Sequence, residues 1–312
     1  MRTNLFWLAS AALLVAAWQG QAVAETWDGD AAPADANWST DANWAGDAKP
    51  SDPTANEIVF TDAGIDAETR VGNSLLDPDG DEWTVGALTV RNASGTHAID
   101  LNGKTLLVTG SLLVSPTDNR PGRNAAVTFT NGEVFVGAPE TESDAIIGET
   151  TTKGAGGRLS LDGATLAVTN RATVGAKGKV HANINGFSGG LDLAGGSTLT
   201  VPDGGLISIT FAADEDEGTA GPYWGLRWKG NHLAELGKLK TQWRLTFTVA
   251  EGVKGIANIW YDDAADYTYV SVKEKWPPTV LTRDLTVELP PGGTVKVHAN
   301  DIDAGSYHAG QE

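Results

Sequence analysis

The sequence predicts an all-β protein whose main body is a right-handed parallel β-helix, a solenoid of short stacked strands. An antiparallel β-sandwich of successive hairpins is the alternative. Three observations point this way. A turn-plus-strand phrase recurs at a near-constant interval in one chain direction. Apolar residues alternate with small polar ones, the period-two signal of strands. Long runs with helical periodicity are missing.

The first 24 residues read as a secretory signal peptide: Met1-Arg2, an apolar run from Leu5 to Trp18, and Ala22-Val23-Ala24 as a small-residue cleavage site. The apolar run is shorter than the roughly 20 residues that span a bilayer, and no later stretch is apolar enough, so the mature chain is expected to lack a membrane span. Residues 25–83 form an acidic opening in which only Lys49 and Arg70 are basic. It contains Trp27-Asp28-Gly29 and two Asn-Trp pairs, Asn37-Trp38 and Asn43-Trp44. Aromatic strands between Asp, Asn and Gly turns fit β structure with Trp covering one end of a core.

The coils are expected over 84–212. The phrase appears as Leu101-Asn102-Gly103-Lys104-Thr105-Leu106-Leu107-Val108, then Thr130-Asn131-Gly132-Glu133-Val134-Phe135-Val136, then Leu161-Asp162-Gly163-Ala164-Thr165-Leu166-Ala167-Val168. A looser version runs from Leu193 through Gly195 to Val201. Repetition at this scale is the signature of solenoids, in which each unit buries its apolar side only against its neighbours. Asn-Gly and Asp-Gly favour positive φ and mark the corners.

Residues 213–275 read as a capping segment. Asp214-Glu215-Asp216-Glu217 is a solvated loop. Asn231 offers an N-cap before Leu233, Leu236 and Leu239, which predicts a short helix. Arg244–Val249 and Tyr267–Val272 are strands. Trp276-Pro277-Pro278 is a stiff linker, and 276–312 holds two further strands split by Pro290-Pro291-Gly292-Gly293. That is too little for a sandwich of about 100 residues, so an incomplete immunoglobulin-like module is expected there.

Charge and composition exclude several functions. The 312 residues carry 22 Lys+Arg against 40 Asp+Glu, a net charge of −18, which opposes nucleic-acid binding. The chain has no cysteine, so disulfide scaffolds, thiolate zinc sites and cysteine nucleophiles are ruled out.

The opening Trp27-Asp28-Gly29, Asn37-Trp38-Ser39-Thr40 and Asn43-Trp44, with the Asn-Gly and Asp-Gly phrases that follow, resembles secreted bacterial proteins with autotransporter-associated β-strand repeats. Pro277-Pro278-Thr279-Val280, Asp284–Leu289 and Ala299-Asn300-Asp301-Ile302-Asp303-Ala304-Gly305-Ser306 resemble the first third of a hyalin-repeat-like, immunoglobulin-type module. Where that family often continues with Asp and Cys, Tyr307-His308-Ala309-Gly310 stands here. The resemblance implies an extracellular, multi-modular bacterial surface protein with adhesion or matrix roles and supplies no catalytic residues.

Candidate chemistry is sparse. Asp77, Asp79, Asp81 and Glu82 crowd a tight turn and could converge on calcium, a hard cation that takes several oxygens at once; Asp301 and Asp303 make a similar pair. Tyr223, Trp224, Trp228 and Trp243, interleaved with Arg227 and Lys229, form the only mixed aromatic-basic cluster and are candidate glycan-stacking residues; burial in the cap is the alternative fate. Gly186-Phe187-Ser188-Gly189-Gly190 spells a nucleophile elbow but precedes a strand instead of the required helix. The five histidines show no metal-ligand spacing. A lyase acting on acidic polymers would want basic residues in the coils, and only Arg171, Lys177 and Lys179 lie between 161 and 212. The expectation is a non-catalytic, secreted or cell-surface structural or adhesive protein, monomeric within a longer chain, with surface polysaccharide or matrix proteins as partners. A carbohydrate-binding module and a polysaccharide-degrading β-helix enzyme are the competing readings.

Overall fold

The computed structural model describes residues 24–31, 37–50, 56–65, 73–74, 82–116, 122–137, 143–148, 156–185, 189–212 and 223–273. Strand makes up 55% of them and helix 6%, so the fold is all-β. In chain order the first strands are β1 (Ala24–Trp27), β2 (Glu57–Phe60), β3 (Asn73–Ser74), β4 (Glu82–Val85), β5 (Ala87–Val90), β6 (His97–Asp100) and β7 (Thr105–Val108). Next come β8 (Leu112–Val114), β9 (Asn124–Val136), β10 (Asp144–Ile147), β11 (Gly156–Val168), β12 (Arg171–Val174), β13 (Gly178–Ile184) and β14 (Gly190–Leu193). The last are β15 (Thr198–Thr200), β16 (Leu206–Phe211), β17 (Trp224–Lys229), α1 (Leu233–Thr241), β18 (Leu245–Val249), β19 (Ile256–Asp262) and β20 (Tyr267–Lys273).

These strands form three hydrogen-bonded ladders. The first has the order β1-β2-β5-β8-β10-β12-β15 and is parallel throughout. The second runs β3-β6-β9-β11-β13-β16-β18, again all parallel. The third runs β4-β7-β9-β11-β14-β17 in parallel and ends with β20 and β19, both antiparallel to their neighbours. From β2 to β17 the chain visits the ladders in a fixed cyclic order. The long strands β9 and β11 serve the second ladder with their first halves and the third with their second halves, which merges the two ladders into one 13-stranded sheet. Parallel and mixed sheets of this kind do not fit the antiparallel hairpin sandwich.

Register explains why short strands suffice. In the first ladder Trp27, Phe60, Val90, Val114, Ile147 and Val174 are successive partners, and all are buried. In the second, Ile99, Phe129, Leu161, Ala182 and Ile209 form an equivalent buried column. In the third it is Leu106, Val134, Leu166, Leu191, Leu226 and Val270. Each column is a line of apolar side chains at the strand spacing of about 4.8 Å, and the three belong to one contiguous core.

Corners are made by residues that tolerate positive φ. Asn131 (φ 54) and Gly163 (φ 63) occupy matching positions in β9 and β11, where each strand turns from the second ladder to the third. The first three recurring phrases therefore share one corner. The fourth does not: Leu193 ends β14 in the third ladder and Thr198–Thr200 is β15 in the first. The spacing between register partners is also uneven, because the corners absorb different lengths of chain.

Both ends of the core are closed. Trp27, Trp38 and Trp44 are fully buried at the β1 end. Trp44 meets Trp27 edge to face at 5.4 Å and Trp38 at 5.9 Å, and its indole N–H donates to the Trp38 carbonyl at 2.8 Å. Asn43 Nδ2 donates to the Asn37 carbonyl at 3.0 Å, so the two Asn-Trp pairs brace each other. At the other end, α1 follows β17 at the point in the cycle where a first-ladder strand would come. Leu236 plants α1 in the core, and Arg244 donates to the Val201 carbonyl at 2.9 Å and pairs with Asp203. The expected N-cap residue Asn231 lies one position early: the helix begins after His232, and the Leu233 N–H reaches Asn231 Oδ1 at 3.4 Å. Among the described residues, no helix is long and apolar enough to cross a membrane. Residues 214–217 and 276–312 lie outside the described residues.

Two glycines separate steric from conformational demand. A Cβ at Gly178 would overlap the Ile147 carbonyl oxygen of the neighbouring strand pair, whereas one at Gly103 (φ +75) meets nothing within 4 Å. Gly178→Ala should cost about 3 kcal/mol or more through overpacking, and Gly103→Ala only about 1–2 kcal/mol from its left-handed backbone. Urea unfolding of the two variants checks this; equal costs would contradict the backbone approach seen at Gly178.

Candidate functional site

The aromatic-basic cluster is placed by β17. Successive residues on this strand should alternate between core and solvent, but the register slips between Trp224 and Leu226. A Cβ at Gly225 would run into Ile209 and Ile184, so position 225 faces inward alongside Leu226. The bulge puts Trp224 on the outer side with Arg227. There Arg227 Nη2 binds Asp192 Oδ2 of β14 at 2.6 Å. Its guanidinium lies 4.5 Å from the Trp224 ring centroid and 5.3 Å from that of Tyr267. Lys229 sits 4.7 Å from the Tyr267 ring and 3.4 Å from Asp266. Trp260 stacks on Tyr269 at 5.0 Å and donates to Ser271 Oγ at 2.6 Å.

Each cation in this group already has a carboxylate partner, so the cluster works as a clasp across β14, β17 and β20. The hydrogen bond to Asp192 raises the Arg227 pKa further, and burial raises the Tyr269 phenol. On β9, Glu133 is half-buried. Burial first, and the nearby Asp192 charge second, push its carboxyl above the usual range, while Arg227 pulls it down.

Of the four candidate glycan-stacking residues, three are buried. Tyr223 is 2% exposed, with its hydroxyl donating to the Ile184 carbonyl at 2.8 Å. Trp224 is 6% exposed beneath Arg227, and Trp228 is 5% exposed and stacked on His232 at 3.7 Å. Trp243, 81% exposed with φ 59, alone presents its ring to solvent. The four do not combine into one open face. The calcium candidates Asp77, Asp79, Asp81, Asp301 and Asp303 lie outside the described residues, as does the Glu82 side chain. Among the described residues no group of three or more His, Asp or Glu could hold a metal ion. The elbow-like Gly186-Phe187-Ser188 is also outside them.

A second site was missed by sequence reasoning. A cleft of about 460 Å³ opens at the start of β11 and β13, with Arg158, Lys177 and Lys179 on one wall and the 93–96 loop as its rim. Arg158 and Lys179 are direct register partners. Ala126 precedes them in the same row and, being small, leaves the floor open. The rim is fixed by the fully buried Asn92, whose Nδ2 donates to the Ser94 and Gly95 carbonyls at 3.0 Å while its Oδ1 accepts from the Ala126 N–H at 3.0 Å. Asp62 accepts the Ala93 N–H at 2.6 Å. The available signal was only Lys177 and Lys179, because Arg158 joins them through strand pairing.

Compared with known proteins, the chain matches no family model, no curated protein and no solved structure.

Arg227→Ala removes the ion pair, uncovers two aromatic rings and strands Asp192 beside Glu133; it should cost about 2 kcal/mol, within the range for hydrogen bonds to charged groups. A double-mutant cycle with Asp192→Asn measures the coupling, and additive effects would contradict the clasp. The raised Glu133 pKa gives a second expectation. The protonated carboxyl favours the folded state, so its contribution is complete below the ordinary Glu pKa of about 4.3 and is lost as pH rises through the folded value. Glu133→Gln should raise Tm at pH 7, with the gain vanishing near pH 4; a pH-independent gain would point to another cause.

Proposed function

We propose that the chain is a secreted, non-catalytic surface protein. Its 25–275 region is a right-handed parallel β-solenoid that acts as a stiff scaffold, and its 276–312 region belongs to a Pro-linked immunoglobulin-like module. The carrying observation is the cyclic order of the three parallel ladders with their buried columns in register. Parallel strands connected in one rotational sense through short crossovers favour the right-handed path. Solenoids of this kind gain stiffness from nearest-neighbour contacts alone, and the repeating outer rows leave room for binding surfaces. The excess of acidic groups supports solubility and discourages self-association. The signal-like first 24 residues and the resemblance to bacterial surface repeats support export and adhesion.

Absence of cysteine makes the architecture testable by introduced disulfides. Thr128, Ser160 and His181 are consecutive partners in one outer row of the second ladder. The T128C/S160C pair should oxidise readily, because adjacent strands fall within disulfide reach. The T128C/H181C pair, two strands apart, should not. Bridging of the distant pair, with the near pair silent, would overturn the solenoid. For location and role, an antibody to the 84–273 region should label intact source cells, and protease shaving should remove that label. Labelling only after lysis would overturn the surface assignment.

A further inference from the structure

We infer that the cleft formed by Arg158, Lys177, Lys179 and the 93–96 rim binds an acidic polysaccharide, through the carboxylate or sulfate groups of a short run of sugars. This rests on the adhesive reading above and gives it a ligand class. The charge pattern is the first argument. The chain carries almost two acidic groups for each basic one, yet the described residues that line the cleft include three cations and no carboxylate. Among the described residues, none of the three cations makes an ion pair or a side-chain hydrogen bond. Arg158 and Lys179 stand beside each other on adjacent strands, an arrangement that repels unless an anion bridges it. Elsewhere on the surface Arg91, Arg171, Arg227 and Arg244 each sit against an Asp or Glu. Among the described residues, the cleft therefore gathers three cations without a carboxylate partner at one concave place on the surface.

Shape is the second argument. The volume falls in the range of small-ligand sites, and its rim is held in place from beneath by buried Asn92 before any ligand arrives. The described lining residues include no aromatic ring, and Ser94, Thr96 and Asn124 offer hydrogen-bonding groups next to the cations. Hydroxyl-rich, anionic sugars match that combination. Adjacent strands set Arg158 and Lys179 about 4.8 Å apart along the ladder, on the scale of one sugar residue. Nucleic acid fits less well, because three cations on a strongly acidic protein neutralise few phosphates and no ring among the described lining residues could stack a base.

The test is titration of the full chain at low salt with oligogalacturonate, dextran sulfate, neutral dextran and duplex DNA. Binding of oligogalacturonate or dextran sulfate is expected, weakening at least tenfold in high salt, with no binding of neutral dextran; which anionic probe binds tells carboxylate from sulfate. R158E/K179E should lower affinity at least tenfold. A126L fills the floor while keeping every charge, and it should lower affinity similarly. Both variants are compared at unchanged Tm, and if R158E/K179E fails to fold, A126L and the milder R158Q carry the test. Binding that survives both changes in folded protein, no binding of either anionic glycan, or preference for DNA overturns the assignment. Surface labelling of cells is independent of this titration, so failure of the ligand class and failure of the surface role read out separately.

Discussion

Every part of this structure depends on strands holding register with the same ladder neighbours, one above another. The strands are mostly three to seven residues long, too short to be stable alone. Inside the stack, a strand is fixed by parallel backbone hydrogen bonds on both sides and by an apolar side chain that continues a buried column. A slip of one residue would exchange the interior row for the exterior one along the whole strand. That penalty is paid at every level of the stack at once, so register is enforced collectively. It also frees the corners. Because the columns carry the specificity, chain of varying length can leave and re-enter between ladders without disturbing what lies inside.

The same constraint creates a problem at the ends, where a ladder exposes unpaired backbone and an open core. The two ends solve it with different chemistry. At the β1 end, three Trp side chains close the interior with bulk, braced by the Asn43 amide on the Asn37 carbonyl and the Trp44 indole on the Trp38 carbonyl. At the far end the chain leaves its cycle: α1 replaces a strand, β20 pairs antiparallel onto β17, and β19 pairs antiparallel onto β20. Reversing strand direction moves the edge away from the parallel stack, the kind of device that keeps repetitive β proteins from adding further chains. The bulge at Trp224 belongs to this transition. It turns an aromatic ring outward, where Arg227 covers it and Asp192 anchors the cation to the last regular strand.

The sequence made local chemistry readable and left long-range pairing hidden. Alternation of apolar and polar residues identified the strands, and positive-φ residues such as Asn131 and Gly163 marked corners. The Asn-Trp pairs pointed to a closed end, and Asn231 with the three leucines pointed to the helix within one or two residues. What a turn phrase cannot encode is which corner it makes. Leu193–Val201 carries the same signal as Leu161–Val168 but lies between different ladders, because the local backbone needs of two corners are alike. Aromatic clustering at 223–243 was visible too, yet the direction of each ring was decided by a bulge that depends on Gly225 meeting Ile184 and Ile209 from other strands. The basic cleft was the least readable feature: Arg158 and Lys179 are distant in sequence and become neighbours only through the β11–β13 register.

That last point bears on how such a fold acquires a site. A stacked architecture turns residues one repeat apart into neighbours at a spacing fixed by hydrogen bonds, so a row on its surface is a ruler as well as a wall. Placing cations on successive levels of that ruler, in a protein whose surface is otherwise acidic, produces a local well inside a repulsive field. Over distances beyond the Debye length of about 8–10 Å the repulsion is screened, so the net charge governs solubility while the cleft acts only on groups that enter it. A thick, rigid polyanion such as duplex DNA must bring many charges close to the acidic surroundings to place two or three in the well. A thin, hydroxyl-rich anionic glycan can lay a short run of its charges in the cleft. Selectivity then comes from the contrast between the cleft and its surroundings more than from the strength of any single contact, and the register that builds the core is what sets that contrast in place.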